Sequence, residues 1–405
     1  MKPFDLHIYT RLIFGPENAD RFAKAVTGIG KKIFIVTGGG SVKRLGYLSE
    51  MQTLLDAHDA DYRIFSGIEP NPQARTINRA AREATGFGAE VILAFGGGSV
   101  MDASKAIAAL VHDRENDIWP FVLGGERSGK LTGVIPIAAI PTTAATASEV
   151  TPYAVISNDE VSGKAPIGYP FMRPVVSWLN PAYTVKLPQE TTRDGASDIL
   201  SHMFENYILG GDVSPLADRY CEGIMAEVID TLPKVIADPE NLHLRGVLLW
   251  ASDLALNGYQ QVGRYPSGFP LHAMEHAMSG YKTDLAHGRG LATLYPAYFR
   301  WLIDNDRATG RFAQLGRRLF GSDTGSDASD ATAFVLAFEA WLRENELLQS
   351  VTDLGIPEEA WPQIAEYTVK VYGDGKNLNV LGALGVTDIL DIFRRTESQS
   401  VAANA

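Results

Sequence analysis

Cysteine is all but missing from these 405 residues: Cys221 stands alone. One thiol can form neither an intramolecular disulfide nor a thiolate-rich zinc cluster, so a reducing cytoplasm is the expected compartment. Blocks of Lys and Arg are missing too. The balance of 36 basic against 48 acidic residues leaves a net charge of −12, the wrong sign for nucleic acid or an anionic membrane as partner. No run approaches the roughly 20 apolar residues of a membrane span, and MKPFDLHIYTRLIFG lacks the apolar centre of a secretory signal. No repeat of fixed period is seen. What is present is 45% hydrophobic and 9% aromatic, the composition of a folded chain, at a length that suggests two or three domains.

The pattern changes near residue 185. Before it, β-branched runs such as KKIFIVT (31–37), YRIFSG (62–67), AEVILAF (89–95) and GVIPIAAIPTT (133–143) alternate with helical stretches, the signature of βαβ units. Beyond LPQETT, segments such as ASDILSHMFENYI and LRGVLLWASDLALNGY carry helical periodicity. We therefore expect an α/β domain on a parallel, Rossmann-like sheet over 1–185 and an all-α domain over 186–405. TPYAVISNDEVSGKAPI reads as a hairpin turning at Asn158-Asp159, GSDTGSDASD (321–330) as a polar loop and TESQSVAANA as a frayed tail.

Two glycine clusters directly follow strands: Gly38-Gly39-Gly40-Ser41 and Gly96-Gly97-Gly98-Ser99. There, bare backbone lets N–H groups approach a phosphate, although a plain strand-to-helix turn would use the same residues. Neither cluster is the G-x-G-x-x-G of an ordinary dinucleotide fingerprint. Asp102 and Lys105, three apart, can share a helix face, a surface ion pair being the plainest use of such a pair.

Histidine is scarce but clustered, three of the eight lying within HAMEHAMSGYKTDLAH (272–287). His272 and His276 are spaced i, i+4 and so share a helix face; Asp198 and His202 repeat that spacing. One carboxylate oxygen with up to three imidazoles suits Fe²⁺, Zn²⁺ or a similar divalent ion.

Taken together, YTRLIFG, GGGSVKRLG, GIEPNP, GGGSVMDASKAIA, PTTAATASEVT, GASDILSHMFENY, HAMEHAMSG, HGRGLA and YGDGKNLNVLG resemble, in order and over nearly the whole chain, the iron-containing (group III) alcohol dehydrogenases, in particular their butanol dehydrogenase and aldehyde reductase branch. The resemblance implies a dehydroquinate synthase-like fold and hydride transfer between a nicotinamide and a small primary alcohol or aldehyde. It implies that Asp198, His202, His272 and His287 hold one divalent metal, Fe²⁺ first and Zn²⁺ second, with His276 beside it as the catalytic proton carrier. It places Gly97, Gly98, Ser99 and Asp102 along the pyrophosphate and nicotinamide, Thr142 and Thr143 beside them, and Lys164 toward the ribose. Gly38, Gly39, Gly40 and Ser41 with Lys43 and Arg44, and no acid after the strand, favour NADP(H) over NAD(H), because a carboxylate there would repel a 2′-phosphate.

Three departures stand out. Ala145 and Ala147 replace usual glycines, Asn180-Pro181 replaces Asp-Pro, and His272 to His287 spans fifteen residues where relatives have fourteen. Glycerol dehydrogenase, maleylacetate reductase, a sugar-phosphate cyclase and a non-catalytic NADPH-binding protein are the alternatives on this scaffold; a metal hydrolase would leave both glycine clusters unexplained. Tyr153, Tyr259 and Phe269 are candidates for the substrate lining, with core packing the expected role of each. A homodimer is expected, its edges paired through LHIYTRLIF.

Overall fold

The computed structural model describes residues 1–161 and 163–401. The strands are β1 (Arg11–Phe14), β2 (Lys32–Thr37), β3 (Asp61–Ser66), β4 (Val91–Gly96), β5 (Ile137–Pro141), β6 (Tyr153–Asn158), β7 (Gly163–Gly168), β8 (Val176–Leu179), β9 (Asn377–Asn379) and β10 (Ala383–Gly385). The helices are α1 (Ala19–Thr27), α2 (Ser41–Arg44), α3 (Tyr47–Ala57), α4 (Ala74–Phe87), α5 (Gly98–Asp113), α6 (Gln189–Leu209), α7 (Pro215–Ala237), α8 (Leu242–Ala255), α9 (Pro270–Tyr281), α10 (His287–Asp304), α11 (Thr309–Leu319), α12 (Asp327–Glu344), α13 (Trp361–Tyr372) and α14 (Val386–Val401).

Six strands form a parallel sheet in the order β1-β8-β5-β4-β2-β3. Its inner strands read as unbroken apolar runs because helices cover both faces of a parallel sheet, and every residue of β4 and β5 is buried. Ile33, Ile35, Leu93, Phe95, Ile140 and Trp178 meet in the core on one side. At one edge β3 carries Asp61 and Arg63, charges that blunt further pairing. The expected hairpin is β6 with β7, Asn158 opposite Gly163. It turns through Asp159–Val161; residue 162 lies outside the described residues.

The second unit is helical apart from the antiparallel pair β9–β10, so "all-α" holds only for its bulk. α6 is buried along nearly its whole length, although Ser197, Asp198, Ser201, His202, Glu205 and Asn206 lie on it. The compact units do not divide the chain into 1–185 and 186–405: one comprises Ile8–Leu187 with Pro239–Asp253, the other Met1–His7, Pro188–Asp238 and Leu254–Ala405. Residues 239–253 join the α/β unit because Ser252 Oγ accepts the Ala145 N–H at 2.9 Å and because Gly246 leaves room against Phe14 and Pro181.

Two loop expectations are corrected. The polar run 321–330 ends in helix, since Ser326 caps α12 by accepting the Ser329 N–H. The expected tail from residue 396 is helical through Val401, with Thr396 and Gln399 buried; residues 402–405 lie outside the described part.

Asp102 and Lys105 form no surface pair. Lys105 is completely buried, its Nζ donating to Ser148 Oγ (2.6 Å), Thr151 Oγ1 (3.3 Å) and the Tyr153 carbonyl (2.6 Å). Ser148 in turn donates to Asp102 at 2.6 Å. Nearby, Glu149 and Asp253 are buried, with Glu149 Oε1 and both Asp253 oxygens lacking hydrogen-bond partners among the described residues. Burial pushes the Glu149 carboxyl up to about 7, partly offset by Lys105. Burial and then Glu149 push Asp253 well above the carboxylate range, and burial lowers Lys105 to about 8. The folded chain thus keeps a Glu149 proton that the unfolded chain releases near 4.5, so stability falls as pH rises through the interval up to about 7. Glu149→Gln should gain on the parent protein by about 1–3 kcal/mol on going from pH 5 to pH 7.5, read from denaturation midpoints across that pH range; a pH-independent difference would contradict the assignment.

Candidate active site

Asp198 and His202 lie one turn apart on α6, and His272 and His276 one turn apart on α9. His287 opens α10. Packing brings three of the four histidines onto one oxygen: Nε2 of His202, His287 and His272 stand 3.5, 3.7 and 3.8 Å from Asp198 Oδ1. The close approach of the helices depends on glycines. A Cβ on Gly288 would come within 1.8 Å of the Asp194 carbonyl of α6, and one on Gly290 within 2.8 Å of Glu275 Cγ on α9. The HGRG run is therefore what lets His287 reach Asp198.

Two carboxylates absent from the sequence-based site orient the rings. Glu205 takes His272 Nδ1 and, through its other oxygen, the Leu271 N–H at 2.7 Å. Glu275 takes His287 Nδ1. Each bond puts the proton on Nδ1 and turns a lone pair at Nε2 toward Asp198. Lone pairs and an anionic oxygen facing one another at 3.5–3.8 Å repel unless a cation lies among them, either a metal ion or the proton that His272, with its pKa at about 9, otherwise keeps. Four ligands at about 2.1 Å from one ion in a tetrahedron lie roughly 3.4 Å apart, close to the three distances from Asp198 Oδ1. Ligand atoms of Asp198, His202 and His272 all lie within 4.8 Å of one another, whereas His287 groups in that way with Glu275 and His276. The donor set fits a divalent metal.

Burial would raise the Asp198 carboxyl, but His202, His272 and His287 hold it well below the usual carboxylate range. Burial drives His202 down to about 3. It acts downward on His272 as well, yet Glu205 and Asp198 carry that imidazole up to about 9.

His276 stands beside the trio. Its ring stacks on His287 (5.1 Å, 23°) and faces Tyr372 at 5.7 Å. The run His272-Ala273-Met274-Glu275-His276 has the spacing of a peptidase motif in which both histidines bind zinc and the glutamate is general base. The contacts oppose that use, because Glu275 is engaged by His287. Phe269 sits edge-on to His272 at 5.2 Å. Core packing fails as an account of the other two candidate lining residues: Tyr153 is 56% and Tyr259 46% exposed.

In the α/β unit the glycine clusters fall where β2 and β4 end. The second is also shaped by packing: a Cβ on Gly98 would meet Thr146 at 2.6 Å, and one on Gly97 would meet Thr143 at 3.2 Å. Thr142 donates its N–H to the Gly96 carbonyl at 3.0 Å, which sets Thr142 and Thr143 beside this turn. Asn71, in the GIEPNP loop, links the candidates: its N–H donates to Ser99 Oγ at 3.3 Å and its Oδ1 accepts Lys164 Nζ at 3.0 Å. Lys164 is buried. Asp102 accepts Ser148 Oγ–H and, at 2.8 Å, the Val155 N–H. At the first cluster Ser41, Lys43 and Arg44 are exposed, and the Arg44 guanidinium folds back over Gly40.

Residues 10–181 match the profile of the iron-containing alcohol dehydrogenases, and residues 192–395 that of the C-terminal part of the Fe-containing alcohol dehydrogenase family. The chain belongs to the iron-containing alcohol dehydrogenase family. It is 33% identical to the NADH-dependent butanol dehydrogenase B of Clostridium acetobutylicum, over 98% of this chain and 100% of that protein. It is 31% identical to the NADPH-dependent aldehyde reductase YqhD of Escherichia coli, over 90% and 92%. Among solved structures, NADH-dependent butanol dehydrogenase A from Thermotoga maritima superposes with a TM-score of 0.91 at 28% identity, covering 97% of this chain and 98% of that one. As a member of this family the chain is an oxidoreductase of the alcohol dehydrogenase type.

The departures from the family pattern now have physical readings. The fifteen-residue interval is taken up by 282–286 between α9 and α10. Asn180 still caps the turn that follows it, its side chain accepting the Ala182 N–H at 3.1 Å. Ala147 is strained: it is buried at φ +52°, a left-handed conformation that costs an L-residue roughly 1–2 kcal/mol and glycine nothing. Ala147→Gly should leave the protein as stable or up to about 1 kcal/mol more stable, read by chemical denaturation; a loss of stability would show that the backbone there relaxes.

Proposed function

We propose that the protein is a metal-dependent reductase of small aliphatic aldehydes, also able to oxidise the corresponding primary alcohols, with NADP(H) preferred to NAD(H). The observation that carries this reading is the convergence of three imidazole Nε2 atoms on Asp198 Oδ1. Asp198, His202, His272 and His287 would hold the ion, Fe²⁺ before Zn²⁺. A divalent ion there supplies Lewis acidity toward the substrate oxygen, and a nicotinamide supplies the hydride.

The chain's own residues do the rest. His276 carries a proton between the substrate oxygen and solvent. Phe269 and Tyr372 give the histidine cluster an apolar border. Gly97, Gly98 and Ser99 offer a pyrophosphate bare backbone and a hydroxyl; Thr142 and Thr143 flank them, and Asp102 and Lys164 orient the nicotinamide and ribose. The names of the relatives divide between NADH and NADPH. Ser41, Lys43 and Arg44, with no carboxylate among Gly38, Gly39 and Gly40, support a 2′-phosphate and hence NADPH.

A cytoplasmic homodimer completes the proposal. Cys221, the single cysteine, is buried, and no helix among the described residues is long and apolar enough to cross a membrane. Edge strand β1 exposes Phe14, and Ile8 and Tyr9 just before it are exposed too, a surface suited to a second copy.

NADPH consumption with a panel of aliphatic aldehydes, followed anaerobically on metal-stripped protein before and after Fe²⁺, tests the reading, with Zn²⁺ and NADH in parallel. Turnover should require metal and favour NADPH. His276→Ala should keep its metal and lose about 10²–10⁴-fold in kcat, whereas Asp198→Ala should lose both. Full metal occupancy in Asp198→Ala would overturn the ligand set.

A further inference from the structure

The four histidines form two stacked pairs, and one carboxylate serves each pair. His202 and His272 lie nearly parallel, with centroids 4.9 Å apart and planes 18° apart. His276 and His287 do the same at 5.1 Å and 23°. In each pair one ring bonds through Nδ1 to a glutamate: His272 to Glu205, His287 to Glu275. His202 Nδ1 has no hydrogen-bond partner among the described residues, so beyond the contact of its Nε2 with Asp198 its tilt is set by the ring it lies against.

Both carboxylates are themselves fixed. Glu205, buried on α6 one turn beyond His202, also accepts the Leu271 N–H in the first turn of α9. That N–H has no partner within its own helix, and the helix dipole favours an ionised carboxylate there. Glu275 is completely buried on α9, and α10 packs against it through Gly290.

We propose that Glu205 and Glu275 are positioning residues, each holding one stacked histidine pair, with a division of labour between them. The inference rests on the metal reading above. Glu205 governs His272 and, through stacking, His202, both of which are ligands. Glu275 governs His287, a ligand, and through stacking His276, the proton carrier. Loss of Glu205 therefore acts on metal binding, and loss of Glu275 acts on metal binding and on turnover by the metal-loaded protein.

Glu205→Gln and Glu275→Gln keep the side-chain shape and remove the charge. Zn²⁺ affinity, measured by chelator competition, should fall about 10–100-fold in each variant, with NADPH binding retained as the sign that the protein is folded. In Co²⁺-loaded protein the visible d–d bands should shift more for Glu205→Gln, where two ligands turn, than for Glu275→Gln. At saturating metal, kcat should fall at least ten times further for Glu275→Gln than for Glu205→Gln. Should Glu205→Gln fail to fold, Glu275→Gln decides alone: weaker Zn²⁺ binding together with reduced kcat at saturation supports the proposal, and either one unchanged overturns it. Wild-type protein that binds no metal would sink the metal reading itself. Wild-type binding with both variants equally tight would sink only the role of the two glutamates, and equal losses of kcat would sink the division of labour.

Discussion

Asp198 Oδ1 is the point on which the helical unit depends. A carboxylate buried in α6 with three imidazole nitrogens 3.5–3.8 Å away is costly without compensation, because each group has given up water. Compensation comes partly from Glu205 and Glu275, which satisfy outer nitrogens of His272 and His287, and, on the proposed reading, partly from a cation among the inner ones. α6, α9 and α10 must approach closely for this to happen, and Gly288 and Gly290 permit it. Helix packing, ring orientation and metal affinity are thus one constraint seen at three scales.

The α/β unit meets a different demand with similar means. A parallel sheet offers its strand ends to a ligand, and on the proposed reading the loops there must be held without consuming the groups that would bind a cofactor. Asn71 ties Ser99 to Lys164, and Ser148 ties Asp102 to the buried Lys105. These side-chain links join the β4–α5 turn to the hairpin β6–β7 and to the segment 142–151. A buried lysine with three partners is stable, whereas Glu149 Oε1 and both Asp253 oxygens have no hydrogen-bond partner among the described residues, and the two carboxyls make this unit sensitive to pH.

Much of this was legible in the residues. The strands announced themselves as apolar runs, because a sheet covered on both faces leaves no polar alternation to confuse them. The i, i+4 pairs on α6 and α9 identified both helices and the faces on which Asp198, His202 and His272 come together. Glu205 and Glu275 were invisible for a physical reason: their partners are 67 and 12 residues away, and a glutamate on a helix is ordinarily solvated. The burial of Lys105 was hidden likewise, since its partners lie more than forty residues along. Residues 239–253 look like any helix of the second domain; their place beside β1 and the 142–151 segment rests on Gly246 and Ser252, which carry no periodic signal. The polar composition of 396–401 suggested fraying, but Thr396 and Gln399 are buried.

The most direct test is anomalous scattering at the iron edge from crystals grown anaerobically with Fe²⁺. The account predicts one peak, about 2.1 Å from Asp198 Oδ1 and from Nε2 of His202, His272 and His287. A peak held instead by Glu275 and His276, or no peak in protein that still binds NADPH, would contradict it.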